Sequence, residues 1–105
     1  MSIFRKYQQY LACFAVLSIF VAMCRAEETQ TGAVMRGTRY ETPYFIKKGE
    51  RPGPTIVIIG GVHGNEPAGY LAARKLVKWK IGRGTLVVMP DAHREAIRRN
   101  AKTGL

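Results

Sequence analysis

The sequence predicts an α/β fold built on a βαβ unit, as part of a mostly parallel sheet. Three observations predict it. Two short apolar runs, Thr55–Ile59 (TIVII) and Thr85–Pro90 (TLVVMP), are continuous rather than alternating, as in strands covered by helices on both faces. Between them, "PAGYLAARKLVKWK" repeats apolar residues at helical spacing. The connections on either side are short and glycine-rich. Strand, helix, strand in that order implies a parallel pair with a right-handed crossover.

The chain has 105 residues, enough for one small domain. Arg5 and Lys6 open it, followed by the apolar run Leu11–Met23 (LACFAVLSIFVAM), then "CRA" and the polar "EETQTG". This is the three-part pattern of a secretory signal peptide over residues 1–26, with cleavage expected after Ala26. The protein is therefore expected to be exported: secreted, periplasmic or at the cell surface. An uncleaved membrane anchor through the same segment is the alternative, although the run is shorter than the roughly 20 residues that span a bilayer.

Both cysteines, Cys13 and Cys24, lie in this leader, so residues 27–105 have no disulfide framework and no thiolate chemistry. The net charge is +10; without Arg5, Lys6 and Arg25 it is +7, from 14 basic and 7 acidic residues. The basic residues are scattered, with no block of five and no aromatic interleaving, which argues against specific nucleic-acid binding. A solvated surface in an anionic environment accounts for them, and any membrane contact is assigned to residues 1–26.

Residues 27–37 read as a polar linker. Within Ala33–Lys48, "TRYETPYFIKK" places aromatic and β-branched residues around Pro43, which suggests one or two short edge strands. "GERPGPT" (Gly49–Thr55) reads as a turn cluster. Thr55–Ile59 is the first apolar strand. Asn65 suits a helix N-cap and Pro67 an early helical position. Ala68, Leu71, Ala72, Leu76 and Trp79 then make one apolar face, and Gly82 and Gly84 end the helix. After the second strand, Asp91 or Ala92 opens a short helical segment, "AHREAIRRN".

Ligands of open α/β sheets sit beyond the carboxyl ends of strands. His63 and Glu66 follow one such end, and Pro90–Lys102 follows the other. Imidazole nitrogen and carboxylate oxygen are both good zinc ligands, and a catalytic zinc keeps a place open for water. Gly60, Gly61 and Gly64 allow the sharp backbone path that would aim both side chains at one point. A phosphate loop is the competing explanation of the glycines. It fails because no Gly-Lys-Ser/Thr and no G-x-G-x-x-G is present.

"GPTIVIIGGVHGNEPAG", "LVVMP" and "AIRRNAKTG" resemble the N-terminal part of the succinylglutamate desuccinylase/aspartoacylase family of zinc carboxypeptidase-like hydrolases. The resemblance runs over Thr38–Leu105 and marks residues 38–105 as the N-terminal part of a catalytic domain. It implies a zinc-dependent amide hydrolase of deacylase type, acting on a small acylated amino acid or peptide with zinc-activated water as nucleophile. His63 and Glu66 match the first two zinc ligands. Lys102 stands where a substrate-binding arginine is expected, as a point charge in place of a bidentate fork. The third ligand, a histidine, and the general-base glutamate would follow Leu105, so no catalytic residue is assigned within the chain and it is expected to be truncated. His93, the one other histidine, matches no ligand position and reads as part of a helix surface. A metallocarboxypeptidase or cell-wall peptide amidase uses the same apparatus. A non-catalytic basic secreted fragment is the reading from a different class.

Overall fold

The computed structural model describes residues 7–8 and 27–103. The signal-peptide and anchor expectations for residues 1–26 fall almost wholly outside the described residues. Among those described, no helix is long and apolar enough to cross a membrane.

Within residues 27–103, four strands and two helices follow in the order β1 (Glu28–Val34), β2 (Thr42–Lys48), β3 (Arg51–Ile59), α1 (Pro67–Leu76), β4 (Arg83–Met89) and α2 (Arg94–Arg99). The sheet order is β1-β2-β4-β3. The expected βαβ unit is present: β3 and β4 pair in parallel across α1, with Ile56 opposite Leu86 and Ile58 opposite Val88. The four-stranded sheet of the described residues is mixed rather than mostly parallel, because β1–β2 and β2–β4 are both antiparallel. Parallel neighbours need a crossover of a dozen or more residues. The connections before β3 are too short to provide one, so the amino-terminal half of the sheet reverses direction at each turn.

The polar stretch read as linker is largely strand β1. "ETQTGAV" carries no apolar signal, and its order comes from pairing along the whole of β2. Tyr44 lies over Gly32 in that pair, where a β-carbon would overlap its ring. The cluster read as a turn, Gly49–Thr55, is also mostly strand. Only Gly49 and Glu50 connect β2 to β3, and Pro52 and Pro54 lie inside β3. Among the described residues β3 has one partner, and a strand with a free side tolerates prolines.

That two-residue link spans β4, which lies between β2 and β3. Gly49 N–H donates to Gly84 O (2.9 Å) and Arg51 N–H to Gly82 O (3.3 Å), so the link straddles the entry of β4. Two strand spacings amount to roughly 9.5 Å. Three residue steps reach about 10–11 Å when fully extended. The link is therefore nearly taut, and a side chain at Gly49 would strike the backbone of Arg83.

The core lies on the α1 face of the sheet. Ala73, Leu86 and Val88 are buried, with Ile58, Leu76, Val77 and Ile81 packed around them. The apolar face expected on α1 is out of phase with the buried one. Ala73 is the buried residue of the helix and Leu76 is half-buried, whereas Ala68, Leu71 and Ala72 are exposed, as is Trp79 beyond it. Lys47, on the same sheet face as Leu86, is only 5% exposed. Its Nζ donates to Val77 O (3.0 Å) and stands 3.1 Å from Glu27 Oε1, close enough to pair in charge but not aligned as a hydrogen bond.

Candidate functional site

Strand β3 ends at Ile59, and the next seven residues are fixed by backbone bonds and by close packing. Gly60 N–H donates to Met89 O, Ala92 N–H to Gly60 O and His93 N–H to Gly61 O, each at 2.9 Å. The two loops at the carboxyl ends of β3 and β4 are thereby joined. Gly61 has φ +68°, a left-handed conformation that favours glycine. Gly64 lies directly against the backbone of Ala96 in α2, where no β-carbon has room.

His63 and Glu66 project from this fixed turn, as the sequence predicts. Nδ1 of His63 lies 3.1 Å from Oε1 of Glu66, and the two side chains are 37% and 65% exposed. The N-cap expectation for Asn65 is corrected: Glu66 is the N-cap residue of α1 and Pro67 begins the helix. Pro67 drives the preceding residue out of the helical region, and Glu66 has φ −113° and ψ 80°. A short polar side chain at that position would ordinarily cap the helix. The Glu66 carboxylate makes no capping hydrogen bond and points to His63 instead.

Donor type and spacing both suit a metal ion. Two ligands of a tetrahedral zinc, bonded at about 2.0–2.1 Å, stand roughly 3.3 Å apart. The observed 3.1 Å is close to that value. No third His, Cys, Asp or Glu joins them among the described residues. His93 is the N-cap residue of α2, and it lines a shallow depression with Val34, Met35, Tyr40 and Thr42. Lys102 is exposed, two residues past Asn100, which ends α2 in a left-handed conformation (φ +49°). Among the described residues no hydrogen bond or ion pair links Lys102 to His63 or Glu66.

A brace behind the turn is not evident in the sequence. Asp91 Oδ1 accepts from Arg74 Nε (2.9 Å) and lies 2.8 Å from Nη2, tying α1 to the end of β4. The Arg74 guanidinium also lies 4.9 Å over the Tyr70 ring. A carboxylate directly after a strand-ending proline was the one available signal.

No protein-family model matches the sequence, and no curated protein matches it. Solved structures do. An aspartoacylase family protein from Mesorhizobium loti matches with TM-score 0.63 and 29% identity, over 75% of this chain and 27% of that one. A succinylglutamate desuccinylase/aspartoacylase from Rhodobacter sphaeroides matches with TM-score 0.59 and 26% identity, over 75% and 27%. The chain resembles the succinylglutamate desuccinylase/aspartoacylase family. A product-bound ectoine utilization protein from Ruegeria pomeroyi shares the fold at TM-score 0.60 and 22% identity, over 77% and 27%. The chain thus spans about a quarter of the length of each of these structures.

Proposed function

We propose that this chain contributes the first part of the site of a zinc-dependent amide hydrolase of deacylase type. The observation that carries the reading is the convergence of His63 Nδ1 and Glu66 Oε1 at 3.1 Å, on a glycine-fixed turn beyond a parallel strand. The likeness to aspartoacylase and desuccinylase structures supports it. In this reading His63 and Glu66 hold zinc, and polypeptide outside the described residues supplies a further ligand and the proton acceptor. A zinc ion held there supplies Lewis acidity toward water and an acyl carbonyl.

The chain's own residues do the positioning. Glu66 keeps the imidazole oriented by accepting from Nδ1–H before metal enters. Gly64 and the Ala92 and His93 amides hold the turn still, which limits the ordering cost of binding. Lys102 would attract a substrate carboxylate as a point charge. Export with cleavage after Ala26 belongs to the same proposal, and N-terminal sequencing of exported material that still began at Met1 would contradict it.

Zinc titration of the chain, followed calorimetrically, tests the metal assignment. His63→Ala and Glu66→Ala are each expected to weaken binding at least tenfold. Unchanged binding in both would remove His63 and Glu66 from any metal site.

A further inference from the structure

Trp79 is the chain's one tryptophan and it is 61% exposed. It lines a groove of about 580 Å³ between the end of α1 and the edge strand, with Pro54, Ile56, Ile58, Leu76 and Ile81. The surrounding sequence is one-sided in charge. From Pro67 to Pro90 there are five basic residues and no acidic one. Arg74 is taken up by Asp91, but Lys75, Lys78, Lys80 and Arg83 are all exposed.

Local geometry places these groups together. Lys78 N–H donates to Lys75 O and Trp79 N–H to Leu76 O, both at 3.0 Å, so the helical turn continues past α1. Leu71, Lys75 and Lys78 then follow one exposed line at spacings of four and three residues. Arg83 lines the groove itself, and the Arg51 guanidinium lies beside Gly82. Glu27 reaches this end of α1, but its carboxylate is drawn to the buried Lys47. The patch lies at the end of the sheet opposite His63 and Glu66, because α1 starts at the carboxyl end of β3 and runs back along the sheet.

We propose that this patch, Trp79 with Lys75, Lys78, Lys80 and Arg83, docks on an anionic bilayer surface. The chemistry matches in two respects. Lysines and arginines attract anionic headgroups, each contributing roughly fivefold in affinity near the surface. Tryptophan partitions to the headgroup boundary, where its ring is buried and its N–H stays wet. A soluble polyanion would engage the lysines and leave the apolar groove open, so the pairing of groove and cations favours lipid.

Trp79 is its own reporter. The full chain is mixed with vesicles of three parts phosphatidylcholine to one part phosphatidylglycerol, or of phosphatidylcholine alone. Tryptophan emission is recorded with and without brominated acyl chains. The expected result is a blue shift and bromine quenching with the anionic vesicles only, both lost at high salt. Lys78→Gln combined with Lys80→Gln is expected to weaken the partition roughly 25-fold. Sedimentation with vesicles but no quenching would overturn the proposal and assign binding to residues 1–26. Blue emission before any vesicle is added would overturn it in favour of a second copy covering the groove. An equal shift with polyuridylate would overturn it in favour of nucleic acid.

Discussion

Strands β3 and β4 are nearly the same in sequence, TIVII against TLVVM, and they lie side by side in parallel register. Their environments differ, although Ile58 of β3 also packs against the core. In β4, Leu86 is 8% exposed and Val88 is fully buried. In β3, Ile56, Val57 and Ile59 are 55–61% exposed. What separates them is position: β4 has β2 on one side and β3 on the other, with α1 over it, whereas β3 is the edge of the sheet among the described residues. An apolar run shows that a strand is fit for burial. The neighbours decide whether burial occurs.

The largest expected effect tests that contrast directly. Leu86→Ala should cost about 2–5 kcal/mol. The equivalent truncation Ile56→Ala should cost about 1 kcal/mol or less, because over half of that side chain is already in water. Urea denaturation of both variants measures the difference. Equal losses would mean that β3 is covered in solution.

A second variant probes the place where β3 ceases to be exposed. Beyond Ile59 the chain passes into the buried glycine turn, and Gly64 touches the backbone of α2. Gly64→Ala should cost roughly 1–3 kcal/mol by overpacking and should loosen the His63–Glu66 geometry. A thermal melt reads the first effect, and zinc affinity reads the second.

A third substitution would sharpen the contrast without touching the core. Val57→Lys should change stability by about 0.5 kcal/mol or less and should lower aggregation, since a charge on an apolar edge discourages further strand pairing. Light scattering at rising concentration checks this, and an unchanged onset would show that the edge is not the sticky surface. The smallest effect is at the turn: Asn65→Ala should fall within about 0.5 kcal/mol of wild type. A loss near 1 kcal/mol, the usual scale of a lost N-cap, would return the capping role from Glu66 to Asn65.

The β3–α1–β4 unit and the placing of His63 and Glu66 were legible because both depend on local signals. Those signals are continuous apolar runs, helical spacing and a glycine turn before Pro67. What the sequence hid depends on distant partners. Strand β1 has almost no apolar residues and owes its order to β2. The antiparallel half of the sheet is set by which strands meet, and no spacing records that. The buried face of α1 is chosen by where small Ala73 can approach Gly60, while larger residues are left outside. Lys47 looked like a surface cation until Val77 O and Glu27 closed over it.

The taut Gly49–Glu50 link has a consequence for assembly. β2 and β3 emerge from the ribosome before β4, and in the finished sheet they stand one strand apart. β4 is therefore the keystone, because the sheet is complete only once it occupies the slot. Until then the slot is open to the same strand from another molecule. Refolding at high protein concentration should yield strand-exchanged dimers, and dilution during refolding should lower their share on size-exclusion chromatography.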